Sequence, residues 1–207
     1  MNTRRNVLVG LGTAALGLLA WRSSSDGGLI EAAGADTTGA SHFPNVTLYT
    51  HEGKAVKFYD DLIRGKVVAF NMMYTSCAGI CPTATANLRG VQKLLGERAG
   101  RDVFMYSISL QPELDTPQIL KAYAKQHRVG PGWSFLTGAP ADIELVRRRL
   151  GFYDIDPLVD GNKASHSGMV RIGNDRSNRW TMAAARAVPE QILATLNHVD
   201  DSVVHTA

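Results

Sequence analysis

Lys66-Val67-Val68-Ala69-Phe70-Asn71-Met72-Met73-Tyr74-Thr75-Ser76-Cys77-Ala78-Gly79-Ile80-Cys81-Pro82 runs an almost continuous apolar stretch into a pair of cysteines and a proline. Residues 67–73 have the length and continuity of a central strand covered on both faces. Pro82 suits the first turn of a helix, where its missing N–H costs nothing, and Leu88, Val91, Leu94 and Leu95 carry an apolar face on to about Glu97. Cys77 and Cys81, the only two cysteines among 207 residues, therefore fall where a strand passes into a helix. Thiols there meet unsatisfied backbone N–H groups and the positive end of the helix dipole, which favour thiolate, the form that binds soft metals and exchanges disulfides. The pair reads as chemical rather than structural.

Outward from this junction the pattern is α/β. Residues 46–49 and 55–58 flank Thr50-His51-Glu52-Gly53-Lys54, a short hairpin around a polar turn. Residues 103–110 read as a strand, and Asp115-Thr116-Pro117 announces a second helix to about His127 by placing a capping side chain before a proline. Residues 133–136 form a short strand, residues 141–150 a helix stopped by Gly151, residues 168–172 and 180–184 a hairpin around Gly173-Asn174-Asp175, and residues 188–199 a last helix. This order predicts a thioredoxin-like fold with an N-terminal β-hairpin extension. The cysteines then lie where strand ends meet a helix N-terminus, the usual ligand crevice of such sheets.

The formal charge of +3 belongs to the N-terminus: Arg4, Arg5 and Arg22 account for the excess of 22 basic over 19 acidic residues. A domain so nearly neutral lacks the clustered basic surface that nucleic acid requires, and Arg147-Arg148-Arg149 reads as a solvated helix face. Residues 1–22 have the layout of a twin-arginine export signal, or of a marginal membrane anchor, since the apolar stretch 7–21 falls short of the roughly 20 residues a spanning helix needs. Ala33-Gly34-Ala35 offers a cleavage site, and no cysteine follows the apolar stretch to carry a lipid. Residues 23–43 read as a flexible linker, 44–199 as the domain and 200–207 as a disordered tail. The expected location is exported, periplasmic or membrane-tethered facing the periplasm. In that oxidising compartment a bare thiol pair closes into a disulfide unless it is kept reduced or holds a metal.

Four segments together resemble a known family: Phe70 to Pro82 with its Cys-x-x-x-Cys-Pro, Tyr106-Ser107-Ile108-Ser109-Leu110 running into Pro112-Glu113-Leu114-Asp115-Thr116-Pro117, Trp133 to Gly138 ending in Leu-Thr-Gly, and His166-Ser167 before the last hairpin. In this order, over roughly residues 44–199, they are similar to the Sco/SenC family of copper-binding, thioredoxin-fold proteins. The resemblance implies copper held by Cys77, Cys81 and His166 and delivered to the binuclear copper centre of cytochrome oxidase, with an oxidase subunit or another exported or membrane copper enzyme as partner. Two thiolates favour Cu(I), and an imidazole makes Cu(II) tolerable. Gln111 stands where the family commonly has an aspartate, and Ala164-Ser165 precedes His166 where an aspartate is frequent.

Other readings of the same residues stay open. Cys77 and Cys81 also suit a redox-active pair in a thiol-disulfide oxidoreductase that reduces the cysteines of a copper site, with a thiol reductant protein as partner and His166 dispensable. A copper or redox sensor uses the same groups, and a structural disulfide is the plainest alternative. A metallochaperone is not an enzyme. Met72 and Met73 read as core fillers, Met169 is no ligand, and Asp115-Thr116-Pro117 is explained as a helix cap. His42, His51, His127, His198 and His205 have no motif to support a metal role.

Overall fold

The computed structural model describes residues 42–163 and 168–203. In chain order its elements are β1 Thr47–Thr50, β2 Ala55–Lys57, a wide helical turn Phe58–Ile63, β3 Val67–Met73, α1 Ile80–Leu95, β4 Val103–Ser109, α2 Pro117–Gln126, β5 Trp133–Gly138, α3 Pro140–Arg149, a single turn α4 Pro157–Asp160, β6 Met169–Asn174, β7 Arg179–Ala184 and α5 Pro189–Val199. The strands form one sheet in the order β2-β1-β5-β4-β3-β6-β7. β3, β4 and β5 run parallel, whereas β6 and β7 continue the sheet antiparallel and β1 joins β5 antiparallel. This is the thioredoxin-like layout the sequence predicts, with the first hairpin extending the sheet beyond β5. The described residues belong to one compact unit, Ala35–Ala207.

All seven residues of β3 are buried because both its faces are covered. Val67, Ala69 and Met73 join a cluster with Leu88 and Val91 of α1, Leu120 and Tyr123 of α2, and Ile192 and Leu196 of α5. Val68, Phe70 and Met72 face the other way, onto the turn Phe58–Ile63 and Ile143 and Val146 of α3. The strand period of two divides the methionines between the two layers. Asn71, polar in an apolar strand, accepts from the Ser107 hydroxyl at 2.6 Å, and Ser107 accepts from the Trp133 indole N–H at 2.9 Å. A buried chain of hydrogen bonds thus satisfies these groups across β3, β4 and β5.

α1 and α5 cross closely at Gly90, where an added Cβ would lie 2.4 Å from Pro189 Cγ. Alanine gains about 1 kcal/mol in helix propensity over glycine but meets a rigid ring, and overpacking of this kind costs about 1–3 kcal/mol. Gly90→Ala is therefore expected to lower the thermal midpoint by a few degrees, of the order of 2–4 °C per kcal/mol lost. An unchanged melting curve would show that the two helices separate freely.

The structure corrects three local expectations. Gly173 and Asn174 belong to β6 rather than to the hairpin turn, which begins at Asp175. Gly173 leaves room for the Trp180 ring across the pair, 2.0 Å from where a Cβ would stand, and the buried Asn174 amide donates to Val199 O at 2.9 Å. Arg147 is not on a solvated face: it is only 5% exposed, and its guanidinium donates to Glu144, to Asp160 and to Phe152 O at 2.6 Å. Side-chain direction on a short helix placed it inward, and the acids arrive from neighbouring turns. Asp115 is not a helix cap. Thr116 is the N-cap, accepting from Ile119 N at 3.4 Å, with Pro117 at the first helical position. Beyond α5, Asp200 is buried and ion-paired with Arg98 at 2.8 Å.

Candidate metal centre

The parallel register sets Met73 opposite Ser109, so the segments after β3 and β4 leave the sheet side by side. β6 runs the other way, with Val170 opposite Asn71, so the approach to its first residue lies at this same edge. The segments after β3 and β4 and the described start of β6 thereby lie at the N-terminus of α1. The first holds Cys77, whose N–H closes a turn onto Tyr74 O at 3.2 Å. Gly79 caps α1 without a side-chain bond, and Cys81 lies in its first turn.

The two cysteines come together here. Cys77 is 8% exposed and Cys81 1%, and neither is in a disulfide. Burial pushes the Cys77 thiol up, but hydrogen bonds from the Cys81 thiol, from the backbone N–H groups of Cys81 and Gly79 and from the Tyr74 hydroxyl together hold it below the ordinary thiol range. This is the thiolate-stabilising helix start that the motif predicts. The Tyr74 phenol moves the opposite way, raised first by its bond to Cys77 and then by burial. Tyr123, whose hydroxyl lies 3.0 Å from Thr85 Oγ1 one turn after Cys81, is raised mainly by burial and also by the charges of Cys81, Cys77 and Asp115.

Of the groups that surround the sulfurs, sequence reasoning singled out Gln111 as a departure from the family pattern and missed the role of Asp115. Asp115 is fully buried and accepts from Thr75 N at 3.2 Å, from the Thr75 hydroxyl and from the Ser109 hydroxyl at 2.6 Å. Gln111 accepts from the Ser76 hydroxyl at 2.9 Å. Nothing local in the sequence marks Asp115 out, because an aspartate before Thr-Pro already has an explanation as a cap. Its partner Thr75 lies 40 residues away.

His166 lies outside the described residues. Gly168, two positions later, is described: a Cβ there would be 3.7 Å from Ile80 Cδ1, and its carbonyl accepts from Ala185 N at 2.9 Å. Met73 shares the apolar cluster of the cysteines, Met72 is on the opposite side of the sheet, and Met169 is partly exposed at the start of β6. His51 accepts from Phe135 N at 3.1 Å and is lowered chiefly by burial, as is His127, whose ring is 4.3 Å from Tyr123. His42 lies 3.1 Å from Arg149 O. Among the described residues no three His, Cys, Asp or Glu side chains form a group able to hold a metal, and no helix is long and apolar enough to cross a membrane.

Comparison with known proteins accords with this arrangement. The SCO1/SenC family model matches residues 34–200. A SCO1 protein homolog of Bacillus subtilis is 34% identical over 100 residues, 47% of this chain and 50% of the relative, so the match spans half of that protein's length. The structure of Bradyrhizobium japonicum ScoI with copper bound is similar at a TM-score of 0.57 and 27% identity, covering 74% of this chain and 96% of that one. A SCO1/SenC family lipoprotein from Bacillus anthracis shares the fold, with a TM-score of 0.61 at 24% identity over 76% of this chain and 94% of the other. A strand-loop-helix junction with paired cysteines, in a thioredoxin-like sheet matched by one family model over most of its length, makes this chain a member of the SCO1/SenC family.

Proposed function

We propose that this protein is an exported copper carrier that holds the ion between Cys77, Cys81 and His166 and passes it by ligand exchange to a respiratory copper enzyme, with the binuclear centre of cytochrome oxidase as client. The observation that carries this reading is a pair of free, buried cysteines at a helix start, one of them biased towards thiolate, in a chain similar to a ScoI whose structure has copper bound. Copper is the cargo, and the donor set suits it: soft thiolates select Cu(I), and an imidazole broadens the site to Cu(II). The nearness of Gly168 to Ile80, whose Cδ1 lies 3.7 Å from where a Gly168 Cβ would stand, supports His166 as the third ligand, because two residues of extended chain reach only about 7 Å. Cys77, the more exposed sulfur, is the first that an incoming partner ligand meets.

Deprotonation of both thiols accompanies loading, so acidification loosens the ion, with His166 protonation adding to the loss. Residues 1–22 serve as the export signal or membrane tether and the segment from 23 as the linker to the client, ending short of Phe43, because Phe43 is buried against Phe58 and Trp180 and the domain includes it and Asp200 as well as 44–199. A second reading has one specific support, the lowered Cys77 thiol beside Cys81. There the Cys77 thiolate attacks a partner disulfide and Cys81 displaces the partner, leaving two partner thiols and a Cys77–Cys81 disulfide that a thiol reductant protein must reduce.

Copper titration of the reduced protein and of His166→Ala, alongside disulfide reductase turnover, separates these readings. The carrier reading expects one copper per chain, and His166→Ala to weaken Cu(II) retention by at least about tenfold while the thiolates keep Cu(I). Efficient turnover with no copper retained would hand the function to the oxidoreductase.

A further inference from the structure

We propose that Asp115, which touches neither sulfur, is a positioning residue that holds the Cys77 arm in its metal-binding conformation; this rests on the copper reading above. A fully buried carboxylate is costly, and helix capping does not require one here because Thr116 already caps α2. Its hydrogen bonds go elsewhere. Oδ1 accepts from the Thr75 hydroxyl, and Oδ2 accepts from Thr75 N at 3.2 Å and from Ser109 Oγ at 2.6 Å. Ser109 Oγ in turn accepts from Gln111 N at 2.9 Å, and the Gln111 side chain accepts from Ser76 Oγ at 2.9 Å. Thr75 and Ser76, the two residues before Cys77, are thus each tied to the segment that follows β4.

The bracing has a physical consequence. Cys77 is stabilised by Gly79 and Cys81 at the start of α1 and by the Tyr74 hydroxyl, so its sulfur must be presented there by a loop that neither frays nor rotates. Loop backbone has many accessible conformations, and fixing them in one costs conformational entropy. Asp115 offsets that cost on the folded side by satisfying the Thr75 N–H and hydroxyl at once. Partners of this sort, acting behind the ligands, typically change metal affinity about 10–100-fold when removed.

Asp115→Asn and Thr75→Val test the proposal. Asparagine keeps the shape and one acceptor oxygen, and valine removes only the hydroxyl. Three measurements are made on the reduced full chain: the unfolding midpoint, amide hydrogen exchange at Thr75, Ser76 and Cys77 compared with β4 and α2, and Cu(I) affinity by competition with a chromophoric chelator. Both variants are expected to exchange the three loop amides at least about tenfold faster with β4 and α2 unchanged, and to bind Cu(I) about 10–100-fold more weakly. A purely stabilising role for Asp115 would instead lower the midpoint and leave native-state affinity and loop exchange as in the unaltered protein, and that result overturns the proposal. Should the unaltered chain bind no copper, the carrier reading fails, while the exchange comparison still decides whether Asp115 holds the loop. If Asp115→Asn does not fold, Thr75→Val alone decides.

Discussion

Cys81→Ser is expected to lower Cu(I) affinity by more than about a thousandfold, leaving a chain that carries no copper through gel filtration under reducing conditions. Serine is nearly isosteric with cysteine but presents a hard, neutral hydroxyl in place of a soft thiolate, so a two-sulfur chelate becomes a single sulfur. The loss is compounded at Cys77, which forfeits the hydrogen bond from the Cys81 thiol that helps to hold it below the ordinary range. Cys81 is 1% exposed, so no water replaces the missing donor without opening the N-terminus of α1. Stability should change far less, by about 1–2 kcal/mol for a small buried hydroxyl with few partners. Copper content by elemental analysis, set beside a thermal melt, separates the two effects. One copper per chain retained by Cys81→Ser would remove the sulfur pair from the carrier reading.

The second large effect falls on stability. Arg147→Met is expected to destabilise the domain by about 2–3 kcal/mol, the cost of removing a buried donor and its carboxylate partners, and to lower the melting temperature by roughly 5–10 °C. Arg147 donates to both oxygens of Glu144, at 2.7 and 2.8 Å, to both oxygens of Asp160, at 2.7 and 3.0 Å, and to Phe152 O. With it gone, Asp160 keeps Arg148 at 2.7 Å, but the Phe152 carbonyl loses this donor. The cluster also sets a pH dependence. Hydrogen bonds from Arg147, then from Asp154 N, hold the Asp160 carboxyl well below the usual carboxylate range. A depressed carboxylate contributes stability above its unfolded value near 4, and that contribution is lost as pH falls towards the folded value. The unaltered protein should therefore lose stability below about pH 4, and Arg147→Met should flatten that limb of the profile. Parallel acid limbs in urea unfolding would refute the assignment of the pH dependence to this pair.

The contrast between Arg147 and Cys77 shows how far local reasoning reaches. Cys77 was legible because its chemistry depends on near neighbours: the strand before it, the proline after it and the spacing to Cys81 are all written within residues 66–82. The parallel strands, the crossover helix and the proline-opened helices α2, α3 and α5 are legible for the same reason, as products of periodicity and local backbone constraint. A triple arginine on a short helix reads as solvated because the sequence gives no hint of which face meets Asp160, 13 residues on from Arg147. The turn Phe58–Ile63 and the single turn α4 escaped notice for want of enough residues to show a period. Asp115 had a local explanation that masked its tertiary one.

Chain order alone settled that two thiols stand where a buried strand hands over to a helix, since hydrophobic period and proline position act within a few residues and need no partner. Which carboxylate braces the loop ahead of Cys77, and which arginine turns inward, became fixed only when strands 36 residues apart were laid edge to edge, Asn71 beside Ser107. Hydrogen bonds and ion pairs between distant segments depend on register and crossing geometry, and no short window of residues contains either.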